Sequence, residues 1–340
     1  MKLPLDHIER IRELGYTGSE ARFLYIVAVH SGYFTLRQFL NFVGASPGKR
    51  STAFSQRLIK RGHVRVRDYL GAGAIYHLFS RTLYGQIDKD NLRNRRLHSF
   101  DFIRTRLVLL DFILANLEFD YLETEQDKVN FFCEHLHVGK ESLPAKVYEG
   151  CPGSPPTVRY FVDKFPLFLA APLPGATPVV TLSFVDAGVG TVSNFVTHLH
   201  AYQSLFGRLQ IFRFLYIGAN EAHFQRADER FRALVRRPFE SDLSRDLVRY
   251  FEIRKRWDNH EYVVPKTNDF EFLNEARRRF QGEHFESLYT RWLRGEMVER
   301  EVLTEFPGQA PERTIFFDTY LVKNHRSPIA EHERDGVNVA

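Results

Sequence analysis

Residues 35–62 read TLRQFLNFVGASPGKRSTAFSQRLIKRG, and the punctuation of this stretch decides how the N-terminal third folds. Thr35 is a helix-capping residue, Leu36, Phe39, Leu40 and Val43 recur at helical spacing, and Gly44-Ala45-Ser46-Pro47-Gly48 breaks the chain. A second helix is expected from about Lys49 to Arg61. Turning Phe54 and Leu58 inward at i, i+4 puts Lys49, Thr52, Ala53, Gln56 and Lys60 on the opposite face. Gly62 ends it.

Upstream, Phe23, Leu24, Ile26, Val27 and Val29 follow a helical period between Ser19, read as the N-cap, and Gly32, read as the stop. Downstream, Val64 and Val66 alternate against His63, Arg65 and Arg67, Gly71-Ala72-Gly73 makes a turn, and a second strand is expected at Ile75–Phe79. Three helices and a basic, Gly-tipped hairpin are the parts of a winged helix-turn-helix, whose third helix enters the major groove while wing arginines reach phosphate or the minor groove. The same architecture also serves as a protein-interaction module, which is the alternative reading.

Charge favours the nucleic-acid reading. From Ala21 to Arg67 there is no Asp or Glu but nine basic residues, and residues 1–110 hold 19 Lys/Arg against 8 Asp/Glu, leaving 28 against 34 for residues 111–340. One-signed charge on a short, well-patterned segment is the footprint of a surface that meets phosphates. The candidate DNA-binding residues are Arg37, Lys49, Arg50, Thr52, Gln56, Arg57, Lys60, Arg65 and Arg67. Thr52 and Gln56 would carry sequence preference, since Gln pairs bidentately with adenine, whereas Lys and Arg contacts to phosphate mainly position the protein. Arg93, Arg95 and Arg96 either extend that path or form a solvated helix start.

Composition bounds the rest. A chain of 340 residues, 44% apolar and 26% charged, is expected to form two or three globular domains. Cys133 and Cys151 cannot make a disulfide framework or a four-cysteine zinc site, and the charged Met1–Arg10 opening is unlike a signal peptide. The apolar run Leu107–Leu117 is interrupted by Asp111 and Asn116 and is too short to span a bilayer. The expectation is a cytoplasmic protein with reduced thiols and no membrane segment. The 31 Phe residues sit mostly at helical or alternating spacing, which assigns them to core packing.

A closing helix is expected at Ser80–Asp90, then an amphipathic helix carrying Leu97, Phe100, Ile103, Leu107, Leu110, Phe112 and Leu114. Extended stretches follow near Phe119–Leu122 and Val129–Cys133, then a hairpin of Val158–Val162 and Leu167–Ala170, a strand Val179–Val185, a helix Val192–Phe206 and a strand Leu209–Ile217. This order resembles the restriction-endonuclease-like core, which when active holds a divalent metal with an Asp on one strand and Glu-x-Lys on the next. Asp163 stands where the first ligand could lie, but Thr181-Leu182-Ser183-Phe184-Val185-Asp186 supplies no Glu-x-Lys, and no Lys follows Asp186 in the strand. The reading is a degenerate nuclease-like core with no catalytic residues, no metal and no cofactor, the alternative being a metal-dependent nuclease using Asp163 and Asp186. His135 and His137, with Cys133, and the pair His198 and His200 are set aside as metal ligands, the latter because i, i+2 positions diverge on a helix. Gly188-Val189-Gly190 lacks a nucleotide-binding continuation.

The last third reads as helices at Ala222–Val235 and Asp242–Arg254, a break at Tyr262-Val263-Val264-Pro265, and a helical segment from about Asp269 to Val302. Its basic clusters Arg254-Lys255-Arg256 and Arg277-Arg278-Arg279 lie among Glu252, Glu271, Glu275 and Glu283, as on a solvated helix surface. A strand at Thr314–Val322 and a flexible tail complete the chain. The fold class is thus α+β, with a winged helix-turn-helix at 1–92, a nuclease-like core at 93–220, a mainly helical region at 221–323 and a tail at 324–340.

The winged helix, its Gly-tipped wing, the Leu97–Leu117 helix, the Asp163 strand and Phe184-Val185-Asp186-Ala187-Gly188 followed by a helix containing Ala201-Tyr202 resemble the bacterial replication-relaxation family of plasmids and other mobile elements over roughly residues 15–220. That family typically carries an acidic residue two positions before the Asp that Asp186 matches, where this chain has Phe184. The resemblance implies a regulator or accessory protein that binds double-stranded DNA. The expected partners are duplex DNA, a second copy in a homodimer, as is common when helix-turn-helix proteins bind paired half-sites, and a protein docked on the C-terminal region.

Overall fold

Helix caps and aromatic packing explain most of the N-terminal architecture. A computed structural model describes residues 1, 3–149, 155–163, 165–171, 178–236, 240–259, 267–298, 301–302, 314–323, 325 and 331–332, a mixed α+β protein. These residues fall into two compact units, 1–230 with 314–340, and 231–313.

The first unit begins with a helix absent from the sequence expectation, α1 (Leu5–Glu13), which buries Ile8 and Ile11. α2 (Gly18–Ile26) is capped by Thr17 rather than Ser19: the Thr17 hydroxyl accepts from the Glu20 N–H, and the Glu20 carboxylate accepts from the Thr17 N–H at 2.8 Å. This reciprocal box satisfies two amides that the helix start would otherwise orphan. The last turn widens into a π segment, Val27–Ser31, and the Asn94 side chain donates to the Ala28 and Val29 carbonyls, both at 2.9 Å, where the α-helical ladder is disturbed. Gly32 ends the segment at φ 80, and a Cβ there would meet the Asn94 carbonyl oxygen at 2.5 Å, so the site requires glycine.

β1 (Tyr33–Thr35) leads into α3 (Leu36–Val43), capped by Thr35 with Gln38 completing the box, then α4 (Lys49–Lys60). The hairpin β2 (Val64–Tyr69) and β3 (Gly73–Leu78) pairs from Val64↔Leu78 to Tyr69↔Gly73, and β1 pairs antiparallel with β3. Phe39 and Phe54 stack at 4.0 Å and Phe23 meets Phe34 edge-on at 5.2 Å, which joins the three helices to the sheet through one aromatic core. The short α5 (Arg81–Gly85) follows.

α6 (Phe100–Ala115) is buried on several sides because it has two partners. Ile103 and Leu107 share a core with Tyr33 and Ile75, while Phe112 lies 5.9 Å from Phe168 and 4.9 Å from Tyr320. Beyond it come β4 (Asp120–Tyr121), α7 (Glu125–Asn130), β5 (Ala145–Tyr148), β6 (Thr157–Tyr160), β7 (Phe168–Ala170), β8 (Val179–Asp186), α8 (Val192–Arg208) and β9 (Ile211–Gly218). After these are α9 (Phe224–Arg236), α10 (Glu240–Asp258), α11 (Thr267–Arg279), α12 (Glu283–Leu293), β10 (Thr314–Leu321) and β11 (Glu331–His332).

The large sheet runs β10-β9-β8-β7-β4, parallel across its first three strands and antiparallel across β7 and β4. Strand alternation sends Val185 into the core that holds Phe112 of α6 and turns Phe184 toward α8, where it lies 5.2 Å from Phe195. The strand at 314–321 therefore joins this sheet, in register from Thr314↔Ile211 to Leu321↔Gly218, instead of closing a helical C-terminal region.

Three expectations need correction. Val129–Cys133 is not extended, because Thr124 caps α7 through the Asp127 N–H at 3.0 Å and a π turn, Phe131–His135, continues it. Val158–Val162 makes no hairpin with Leu167–Ala170: β6 pairs with β5 in a separate ribbon, and Phe161, at φ 48, turns the chain before Asp163. The helix expected from Asp269 to Val302 is interrupted at Gly282, φ 117, which separates α11 from α12. Tyr262–Pro265 and Cys151 lie outside the described residues, as does the tail apart from residues 325 and 331–332.

In the second unit, Leu247, Phe251, Phe280 and Leu288 share a core, and Arg254 grips Glu286 with two bonds of 2.8 Å while lying 4.1 Å over the Tyr289 ring. Arg279 pairs with Asp246 at 2.9 Å, whereas Arg256, Arg277 and Arg278 are exposed. No described helix is long and apolar enough to cross a membrane.

Candidate nucleic-acid interface

α4 is amphipathic in the expected sense. Phe54 and Leu58 are fully buried, and Lys49, Arg50, Thr52, Ala53, Gln56 and Lys60 are exposed, joined by Ile59. Its first turn holds Lys49 and Arg50 and no acid, the reverse of what the positive end of a helix dipole prefers for stability. Two cations added to the free N–H groups there make a surface suited to anions. The Arg50 guanidinium donates to Ser19 Oγ at 2.9 Å, and the Thr52 hydroxyl donates to the Gly48 carbonyl at 3.2 Å. The Gln56 and Lys60 side chains are exposed, so both present their donors outward.

Two of the nine predicted contacts are used inside the fold instead. Arg57 lies 2.7 Å from the buried Glu20 carboxylate and 3.1 Å from the Gly15 carbonyl, with the Tyr16 ring 5.9 Å away. Arg37 pairs at 3.1 Å with Asp111, which also accepts from Gln38 at 2.9 Å and lies 2.7 Å from the His325 imidazole. The acid-free window begins one residue after Glu20, and Asp111 lies far outside it, so a count along the chain could not reveal either pairing.

Gly62, φ 65, turns α4 directly into the hairpin, where Arg65 and Arg67 are exposed. Arg65 rests 4.4 Å over the Phe79 ring, which orients it without neutralising it. Gly71 and Gly73 take φ 84 and 73 at the tip, beside the exposed Leu70. His63 is not part of this surface: it is buried with its Nδ1 2.7 Å from the Tyr16 hydroxyl, and burial pushes its pKa down. The outer edge of β2 pairs with β11, Tyr69↔Glu331 and Asp68↔His332. Arg93 and Arg95 also turn inward, Arg93 to the Tyr148 hydroxyl at 3.3 Å and Arg95 to the Phe79 and Asp90 carbonyls, leaving Arg96 exposed.

The two carboxylates of the nuclease-like reading are each locked into a separate hydrogen-bonded set. Asp163 accepts from the Tyr202 hydroxyl at 2.8 Å and lies 3.2 Å from His198 Nδ1. Burial opposes its charge, but the His198 hydrogen bond and charge, Lys128 and the Phe165 N–H outweigh that and bring its pKa down to about 2. Asp186 accepts from the Tyr216 hydroxyl at 2.7 Å and the Gly188 N–H at 2.8 Å, and its other partner is His223 Nδ1 at 2.8 Å. Burial and Asp186 push the Tyr216 phenol well up, so it remains a donor. His198 is buried and His200 exposed, as divergence on a helix requires, and Cys133 is a free thiol with His135 and His137 exposed nearby in sequence. Among the described residues no group of three His, Cys, Asp or Glu is placed to hold a metal ion.

No family model, curated protein or solved structure matches the chain.

Proposed function

We propose that the protein binds double-stranded DNA through a winged helix-turn-helix comprising α2, α3, α4 and the β2–β3 hairpin, with α4 in the major groove. The observation that supports this reading is the exposed, acid-free face of α4, where Lys49, Thr52, Gln56 and Lys60 stand clear of the core and Arg65 and Arg67 continue the charge along the hairpin. Lys49, Lys60, Arg65 and Arg67 position the protein on phosphates, and Gln56 reads base edges. Exposed Ile59 supplies an apolar contact of the kind that distinguishes a thymine methyl. The large sheet, packed against α6 through Phe168 and Tyr320 around Phe112, serves as the support behind that helix. Together with the resemblance to replication-relaxation proteins, this makes the chain a DNA-binding regulator or accessory protein of a mobile element.

Selection of full-length protein against a randomised duplex pool, followed by sequencing of the retained DNA, tests the reading. Enrichment of one motif, lost in Gln56→Ala, is the expected result. Weak retention without enrichment, unchanged in Lys49→Ala and Lys60→Ala, would instead support the protein-docking alternative.

A further inference from the structure

The hairpin that carries Arg65 and Arg67 is met on its outer side by the end of the chain. β11 pairs antiparallel with β2, Glu331↔Tyr69 and His332↔Asp68, next to the hairpin turn. Two residue pairs alone make a marginal strand, because so short a ladder barely offsets the entropy of ordering it. A second anchor precedes them. His325 lies through Nδ1 2.7 Å from Asp111 of α6, the carboxylate that Arg37 and Gln38 also hold, and its side chain is 3% exposed. The chain is thus fastened to α6 shortly before it reaches β2, which makes its encounter with the hairpin intramolecular and raises its effective concentration there.

Register and charge then agree. Arg65, Val66 and Arg67 of β2 are all exposed, ahead of the paired Asp68 and Tyr69. On the inner side of β2, His77 stands across from Arg65 and Ile75 across from Arg67, so β3 sets no carboxylate opposite either guanidinium. Beyond His332 the sequence is Glu333-Arg334-Asp335. In an antiparallel ladder each step forward on one strand is a step back on the other, so the register set by residues 331 and 332 assigns position 333 to Arg67, 334 to Val66 and 335 to Arg65. Directly opposite residues share a face of the sheet with Cβ atoms about 5 Å apart, where opposite charges attract. Both acids fall opposite an arginine and Arg334 falls opposite Val66. A slip of one residue would set Arg334 against an arginine, so the charges specify this register and oppose its neighbours.

We propose that residues 331–335 act as an intramolecular strand that docks along the outer edge of β2, where Glu333 and Asp335 neutralise Arg67 and Arg65 and withhold them from a phosphate backbone. A duplex engages the hairpin by offering both arginines phosphates in exchange, so it has to outcompete the chain's own acidic strand. The docking itself is argued from register and charge. Its effect on duplex affinity rests on the DNA-binding reading given above.

A charge-conserving exchange, Glu333→Arg with Arg334→Glu, tests this in the full chain, because it keeps net charge and composition while setting an arginine opposite Arg67. Hydrogen–deuterium exchange read by mass spectrometry is expected to become several-fold faster in a peptide covering Val64–Tyr69, with α4 unaffected. Duplex affinity at low salt, read by fluorescence anisotropy, is expected to rise about three- to tenfold, a gain that a change of net charge cannot supply. A chain ending at His332 removes both acids and is expected to shift both readouts in the same direction. Unchanged exchange in β2 in both variants, or unchanged affinity where the duplex is bound, would overturn the proposal. Faster exchange in β2 with no duplex bound by any of the three chains would uphold the docked strand and refute the DNA-binding reading instead.

Discussion

The outward face of α4 and the C-terminal end of β8 use polar groups in opposite ways. On α4, Lys49, Gln56 and Lys60 project from a helix whose inner residues, Phe54 and Leu58, are fully buried, so removing an outer side chain leaves the packing untouched. At β8, Asp186 is held by the Tyr216 hydroxyl, His223 and the Gly188 N–H, and between β6 and β7 Asp163 is held by Tyr202 and His198, so each carboxylate is fixed by its neighbours. A surface with donors to spare is equipped to meet a partner. A carboxylate whose neighbours already consume it is equipped to hold a fold together.

The contrast is sharpest at Arg57, which lies on α4 but belongs energetically to the interior. Arg57→Ala is expected to lose about 3–5 kcal/mol in urea unfolding, because it strands the buried Glu20 carboxylate, and adding Glu20→Gln should recover much of the loss. If Arg57→Ala were as mild as a surface substitution, the division between outer and inner cations on this helix would fail. Asp163 gives the next effect. Its pKa falls on folding, so its contribution of about 2 kcal/mol is fully present above the unfolded value near 4 and is lost as pH falls from there to about 2. Acid unfolding of Asp163→Asn should lack that component of the pH dependence, and an unchanged profile would mean that His198 and Tyr202 do not stabilise the carboxylate. Gln56→Ala should cost about 1 kcal/mol or more of discrimination between preferred and scrambled duplex while leaving the urea midpoint unchanged. The smallest expected effect is on the stability of Lys60→Ala, within about 0.5 kcal/mol of the parent in the same urea experiment.

Local signals in the sequence are legible where one segment carries its own instructions. Thr35 as a cap, the Gly44–Gly48 break and the Phe54/Leu58 spacing locate α3 and α4 to within a residue or so, because capping and amphipathicity act over one or two turns. The same logic fails at Thr124, where an apolar run suggested a strand and a capping box made a helix. Pairings across long separations were not legible at all. The Arg37–Asp111–His325 set joins three distant segments, and β10 finds β9 across about a hundred residues, a match that periodicity in either strand cannot specify. At the candidate interface the exposed Lys49, Thr52, Gln56 and Lys60 follow from helical spacing, whereas the expected alternation on β2 fails, since Val66 is exposed with Arg65 and Arg67, and the inward turn of Arg37, Arg57 and His63 depends on Asp111, Glu20 and Tyr16 arriving from elsewhere in the fold.

The most direct measurement is the salt dependence of duplex affinity for the full chain and for Lys49→Ala/Lys60→Ala/Arg65→Ala, by fluorescence anisotropy. If α4 and the hairpin meet DNA phosphates, the slope of log K against log salt should fall by about 0.9 for each contact removed, with the urea midpoint little changed. An identical slope in the triple variant, with binding intact, would contradict the assignment of DNA contact to this face.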